Sequence, residues 1–213
     1  QRALARLEHP GIARLIDAGS TEGGAPFLAM EFVDGLPIDI WCEERGASLR
    51  ERVGLLARVA DAVSYAHAHL VVHRDIKPSN VLVDRDGRER LVDFGIARVL
   101  DEATASEATQ ALPRAFTPRY ASPEQIRGEV VTTASDVYSL GVLAFELLTG
   151  ASPYGAATGT TREVERAACE VLAPRPSSAA RERGGDWRAL RGDLDAIVQK
   201  ALSKEPERRY ASA

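Results

Sequence analysis

Cysteine is scarce in this chain of 213 residues: only Cys42 and Cys169 occur, far apart and in no metal-binding or disulfide spacing. They read as free thiols of a reducing compartment. Long hydrophobic runs are lacking too. The most apolar stretch, Val137 to Leu148, contains Tyr138, Ser139 and Glu146, and it is too short and too polar to cross a bilayer. No secretory leader is read at the start, where Gln1 enters a helical pattern directly. An excess of positive charge is absent as well; a net charge of −4 gives no reason to expect nucleic acid or an anionic membrane as partner. What remains, 45% hydrophobic and 27% charged, is ordinary for a globular protein. The length allows one sizeable unit or two small lobes sharing a cleft.

Residues 4–8 read as the end of an amphipathic helix stopped at His9-Pro10-Gly11. Strand-like runs come next at 12–17 and 27–33, with a turn-rich stretch between them. Ser48, with Glu51 three positions on, is a capping box that opens a long helix. Its predicted apolar stripe is Leu49, Val53, Leu56, Ala60, Val63, His67 and Leu70. Residues 81–83 and 91–92 read as a hairpin around Asp86-Gly87. The segment 101–113 is small and polar and reads as a mobile loop. A buried helix over 136–149 ends at Gly150. Residues 173–185, rich in Pro, Ser, Arg and Gly, read as a surface connection, and a last helix spans 194–202 with Asp193 as its N-cap. No internal repeat is found. The pattern is mostly strand before residue 48 and mostly helix after it.

Against this background five motifs stand in order. They are His73-Arg74-Asp75-Ile76-Lys77-Pro78-Ser79-Asn80, Asp93-Phe94-Gly95, Ala121-Ser122-Pro123-Glu124, Asp136-Val137-Tyr138-Ser139-Leu140-Gly141 and Pro206-Glu207-Arg208-Arg209. Together they resemble the catalytic loop, metal-binding motif, Ala-Pro-Glu motif, buried helix and last motif of protein kinases. Within that family the likeness is to the bacterial Hanks-type (eukaryotic-like) serine/threonine kinases. A lone His-Arg-Asp triplet would carry little weight; the ordered set covers essentially the whole chain and is specific.

The resemblance implies an α+β, two-lobe kinase-like fold, with residues 1–33 as a partial strand-rich N-lobe and 34–213 as the hinge and a mainly helical C-lobe. It implies roles as well. Asp75 would accept or orient the proton of the incoming hydroxyl, Lys77 would balance phosphoryl charge, and Thr117 would touch both. Asn80 and Asp93 would hold Mg²⁺ through hard oxygens. Backbone groups of Glu31 and Val33 would meet the adenine edge of ATP, with Met30 behind it and Leu82 beneath. Arg74 would bind a phosphate placed on Thr104, Ser106 or Thr109, with Thr109 preferred. His73 and Phe94 would join a packed column with Leu4, Leu15 and the anchoring Asp136. Asp136 needs hydrogen-bond donors, which the backbone around His73-Arg74 would supply, and Glu124 with Arg209 would form a buried ion pair.

The form Asp-x-Lys-x-x-Asn at 75–80 resembles serine/threonine rather than tyrosine kinases, and the segment around Thr117 departs from the pattern at Phe116 and Pro118. The ordinary reading of an Asp-Lys pair is a surface salt bridge worth little; four polar groups in one ordered motif argue against it. No glycine-rich phosphate loop occurs, and the expected strand lysine and helix glutamate are not found. The expectation is therefore a domain truncated at its N-terminus, weak or inactive alone. Its parent would act on protein Ser/Thr residues in the cytoplasm, with possible autophosphorylation through a transient dimer and any membrane anchor outside this chain. Two rival readings are a non-catalytic kinase-like scaffold and a small-molecule phosphotransferase; the second is disfavoured by the Ser-Pro-Glu segment and Thr117.

Overall fold

Backbone hydrogen-bond demand and apolar burial build two units, one from residues 1–72 and 78–92, the other from 73–77 and 93–212. The structure is a computed structural model that describes residues 7–21, 26–94, 117–155 and 160–213. Among these residues seven α-helices and five short strands give an α+β chain.

In the first unit β1 (Leu15–Ser20) pairs antiparallel with β2 (Pro26–Met30). The first strand begins later than the apolar run predicted, because residues 12 and 13 are already committed elsewhere. Ile12 bridges to Leu91, and the Ala13 N–H donates to the Leu91 carbonyl at 2.9 Å. A three-stranded sheet has the order β3 (Gly35–Pro37), β4 (Val81–Asp84), β5 (Glu89–Leu91). The hairpin turn between β4 and β5 is closed by the Asp84 carboxylate, which accepts from the Asp86 and Arg88 N–H groups at 2.9 Å. Such a carboxylate folding back on its own turn is the physical reason for Asp at this position. Helix α1 (Ile38–Glu44), not anticipated from sequence, buries Ile38 and Cys42, four residues apart on one face. Its Trp41 indole donates to the Asp84 carbonyl.

Helix α2 (Leu49–Ala68) starts at the Ser48/Glu51 capping box, both halves of which are formed. Its buried face is Leu55, Val59, Ala62, Val63, Ala66 and His67, which corrects the predicted stripe at all but Val63 and His67. Leu70 is 93% exposed at φ 61°, in the turn that ends the helix. The buried face is turned by about one residue from the predicted one, Leu55 and Val59 replacing Leu56 and Ala60.

The second unit is built around α4 (Thr133–Thr149), which is apolar on nearly every side and therefore buried. It starts three residues earlier than expected because Thr132 caps it together with Ser135, and Gly150 closes it in the left-handed conformation. Tyr138, Val142 and Phe145 pack with Ala179, Val198 and Leu202; burying a large apolar side chain of this kind contributes about 1.5–3 kcal/mol. At Gly141 a Cβ would lie 2.9 Å from the Ala201 Cβ, so only glycine permits this approach to α7 (Asp193–Ala201). The residue that caps α7 is Gly192, not Asp193, which is already helical.

Helix α3 (Pro123–Arg127) has Ser122 as its cap, and α5 (Thr161–Glu170) is capped by Thr160. The expected surface connection over 173–185 is instead occupied by α6 (Pro176–Glu182), with Pro176, Ser177, Ala179 and Ala180 buried. Composition misled here because the stabilising partner is remote: the Ser177 N–H and hydroxyl donate to the buried Asp195 carboxylate at 2.8 and 2.6 Å. No described helix is long and apolar enough to cross a membrane.

Candidate active site

The first turn of α4 carries Asp136, whose side chain is fully buried. A carboxylate in that position is costly unless donors converge on it. Its two oxygens accept from the backbone N–H groups of His73 and Arg74, each at 2.8 Å. Charge-assisted bonds of this kind are worth about 1.5–3 kcal/mol each. From the other side, the Gln125 side-chain amide donates to the Arg74 carbonyl at 2.7 Å. The peptide is thereby gripped from α3 and α4, and Arg74 is held at φ 70°. That left-handed conformation costs a non-glycine residue on the order of 1–3 kcal/mol, and the surrounding bonds offset it.

The grip organises the residues on either side of Arg74. His73 is fully buried, its ring 4.6 Å from the Phe94 ring between centroids. Its Nδ1 accepts from the Asp75 N–H at 3.3 Å. The Asp75 carboxylate lies 2.6 Å from the Lys77 ammonium, and Lys77 donates onward to the Thr117 hydroxyl at 3.0 Å. The Asp75 and Lys77 side chains are 21% and 24% exposed, open enough to meet a ligand. Thr117 is held from below. Tyr120 donates its backbone N–H to the Thr117 carbonyl, and the Tyr120 hydroxyl donates to Glu146 at 2.6 Å. Arg119 also donates to Glu146 at 2.6 Å, and the Ser139 hydroxyl donates to the Tyr120 carbonyl. A carboxylate, an ammonium and a hydroxyl thus converge on a braced backbone.

Glu124 and Arg209 meet in a bidentate pair at 2.7 and 2.9 Å. Burial pushes the Glu124 carboxyl upward, but hydrogen bonds from Arg209 and Ser135 outweigh it and hold the group below its usual range. Lys204, nearby in sequence, donates to the Ala168 carbonyl at 2.6 Å and to the Tyr154 hydroxyl at 3.0 Å. Burial lowers its pKa to about 8.

The remaining predicted residues are divided between the two units. In the first, Asn80 is buried at the end of a 3₁₀ turn (Pro78–Asn80), and its carbonyl accepts from the Val92 N–H. Met30 ends β2 opposite Leu15. The Glu31 N–H is taken by the Arg14 carbonyl at 2.8 Å, and the Val33 carbonyl accepts from Gly35. Leu82 is half-buried in β4, opposite Arg90 and Pro37. In the second unit, Asp93 is exposed at φ 54° and Arg74 is half-buried. Leu4, Thr104, Ser106 and Thr109 lie outside the described residues, as do Gly95 and Phe116.

Sequence reasoning missed Gln125, Ser135 and the Arg119–Glu146–Tyr120 cluster. Gln125 had a readable signal: it stands three residues after Ser122, the spacing of a capping box, which it completes. Glu146 had none, because its partners lie 26 and 27 residues away.

The amino-acid sequence is similar to those of known proteins. A family model described as the protein kinase domain matches residues 1–213. The chain is 35% identical over 213 residues to the serine/threonine-protein kinase PknB of Mycolicibacterium smegmatis, an alignment covering 98% of this chain and 32% of that protein. Identity and coverage are the same for PknB of Mycobacterium tuberculosis. The serine/threonine-protein kinase PrkC of Bacillus subtilis is 32% identical over 214 residues, covering 100% of this chain and 31% of that protein. The chain therefore spans about a third of the length of these curated relatives.

Proposed function

Because the chain belongs to the protein kinase domain family, we propose that its native gene product performs ATP- and Mg²⁺-dependent transfer of the γ-phosphoryl group to serine and threonine hydroxyls of proteins, in bacterial signalling, with the chain itself weak or inactive alone. The observation that carries the reading is the convergence of Asp75, Lys77 and Thr117 at 2.6 and 3.0 Å on a backbone gripped by Asp136. Phosphoryl transfer needs little covalent help from the protein; it needs positioning and charge stabilisation. The Asp75 carboxylate accepts a hydrogen bond from the substrate hydroxyl, orients its oxygen and takes up its proton. The Lys77 ammonium balances negative charge as it moves, and the Thr117 hydroxyl accepts a second hydrogen bond from it, which fixes its position beside Asp75.

The side-chain oxygens of Asn80 and Asp93 are of the hard type that Mg²⁺ prefers, so these two residues would hold the ion. The ion would supply charge neutralisation to the nucleotide phosphates. The Glu31 and Val33 backbones, with Met30 and Leu82 beside them, are assigned to the adenine. With the Glu31 N–H already engaged by Arg14, the carbonyl is the group Glu31 offers. Arg74 is assigned to a phosphate on Thr104, Ser106 or Thr109. His73, Phe94, Glu124 and Arg209 are structural. The division into a small lobe ending at residue 33 and a large lobe from residue 34, a cytoplasmic location and self-phosphorylation complete the proposal.

The test is phosphoryl transfer from radiolabelled ATP by the native gene product, wild type against Asp75→Asn. Label on Ser or Thr that falls by about 10²–10⁴-fold in the variant, with an unchanged unfolding midpoint, is the expected result. A wild-type protein that binds partners yet transfers no phosphate would turn the reading to a scaffold.

A further inference from the structure

Within the first unit lies a cleft of about 490 Å³ whose lining includes none of the residues assigned to catalysis or nucleotide binding. Its walls come from α1, from the first turns of α2 and from the turn between β4 and β5. Four arginines line it, Arg45, Arg50, Arg58 and Arg85, against two carboxylates, Glu51 and Asp86. Both carboxylates are engaged: Glu51 accepts from the Ser48 N–H and hydroxyl at 2.8 and 2.6 Å, and Asp86 pairs with Arg88 at 2.6 Å.

The arginines are less committed. The Arg50 guanidinium makes no ion pair or hydrogen bond among the described residues. Arg85 has only a 3.8 Å contact with Asp34, both side chains being largely exposed. Arg45 lies over the Trp41 ring, 5.5 Å from its centroid, and donates to the Arg85 carbonyl. Arg58 is the more firmly held, by the Glu89 carboxylate at 2.6 Å and the Gly87 carbonyl at 3.1 Å. In a chain whose net charge is −4, this cleft is a local inversion of sign.

The floor carries a second observation. Gly54 sits inside the 20-residue α2, where glycine is unfavourable relative to alanine. Nothing in the packing requires it: an added Cβ would find only the Arg58 Nη1, at an ordinary 3.7 Å. The missing side chain leaves open space in the cleft, which Trp41 and Leu55 also line.

We propose that this cleft docks an acidic, extended peptide segment of a protein partner, its carboxylates on Arg50 and Arg85 and one aliphatic side chain seated beside Trp41 above Gly54. Guanidinium groups favour carboxylates through paired N–H donors, and arginine and tryptophan are the side chains that most often anchor peptide and protein contacts. A site of this size suits a few residues of peptide, and a mixed cationic and aromatic lining asks for both charge and an apolar anchor. On the kinase reading, the partner is the substrate: an acidic stretch at a distance from the phosphorylated hydroxyl raises its local concentration.

The probe is a fluorescein-labelled pentapeptide with one leucine between pairs of glutamates, tracked by anisotropy against the full chain. Saturable binding is expected, weakened in about 0.5 M salt and weakened by about tenfold or more in the Arg50→Glu/Arg85→Glu double variant. The Gly54→Leu variant fills the floor and is expected to lose binding while keeping or raising the unfolding midpoint. Equal binding by all three proteins, or equal affinity for a peptide lacking the leucine and for a sulfated polysaccharide, overturns the proposal in favour of a merely cationic surface.

The substrate role is read separately, with the native gene product and a Ser/Thr peptide with and without the acidic extension. The extension is expected to raise kcat/KM in the wild type only, with the short peptide used equally by all three. Peptide binding without any phosphoryl transfer leaves the docking site standing and removes the kinase reading. Transfer without peptide binding does the reverse.

Discussion

Two carboxylate–cation contacts of the second unit have nearly the same length, 2.6 Å for Asp75–Lys77 and 2.7 Å for Glu124–Arg209. Their surroundings differ in every other respect. The side chains of the first pair are between a fifth and a quarter exposed, and one ammonium is shared between a carboxylate and a hydroxyl. Those of the second are 0% and 3% exposed. Arg209 also donates to the carbonyls of Ala134, Ser203 and Lys204, and Glu124 accepts from Ser135 as well. A pair with every donor consumed holds elements together and has nothing to offer a ligand. A partly exposed pair on a braced backbone contributes little to stability and stays within reach of a ligand.

The contrast can be broken most directly at Arg209. Arg209→Met leaves the Glu124 carboxylate buried without its counter-charge, and about 3–5 kcal/mol of stability should go, read as a shift in the denaturant midpoint. Lys77→Met, at a partly exposed pair, should cost less than about 1 kcal/mol on the same measurement. Equal losses in the two variants would erase the distinction.

A smaller effect sharpens it. Thr117→Val removes one hydrogen bond to Lys77 while keeping the shape. Phosphoryl transfer is expected to fall by roughly tenfold, the equivalent of a bond of about 1–1.5 kcal/mol, with the midpoint nearly unmoved. An unchanged rate would remove Thr117 from the constellation.

The smallest effect concerns a third cation, Lys204, whose hydrogen bonds go only to neutral acceptors. Its folded pKa of about 8 lies below the ordinary 10.5, so between those values the unfolded chain binds more protons. Stability should then rise with pH. Burial also raises the Cys42 and Cys169 thiols above 9.0 and Tyr154 from 10 to about 12, so from about pH 9 upward the unfolded chain binds fewer protons at these groups and they pull stability down. The window in which Lys204 acts unopposed is therefore about pH 8–9. Denaturant titrations across it should show a steeper rise for the wild type than for Lys204→Met, and parallel slopes would show that the amine is not desolvated.

The parts of this molecule that were legible in the sequence are those whose cause is local. Ser48 and Glu51 announce α2 because both halves of the cap lie within four residues; Gly150 announces the end of α4 for the same reason. The motif residues around Asp75 were legible through family likeness. Helix α6 was not, since the carboxylate that satisfies Ser177 belongs to Asp195, 18 residues on. The bracing of Thr117 through Tyr120 and Glu146 was hidden likewise, as was the burial of Ile38 and Cys42 on α1, whose seven residues are too few for a convincing period. The Asp136 grip falls between: its need for donors comes from burial, but the second grip, by Gln125, required the fold.

The Glu124–Arg209 pair also bears on how the chain is made. Its members are 85 residues apart, and translation at about 5–20 residues per second separates their synthesis by roughly 4–17 s. Throughout that interval α3 carries an acidic side chain meant for the interior and has no cation to receive it. A helix of five residues is far too short to persist unaided. On the ribosome, then, the helix that presses against Arg74 stays without its counter-charge until residue 209 arrives.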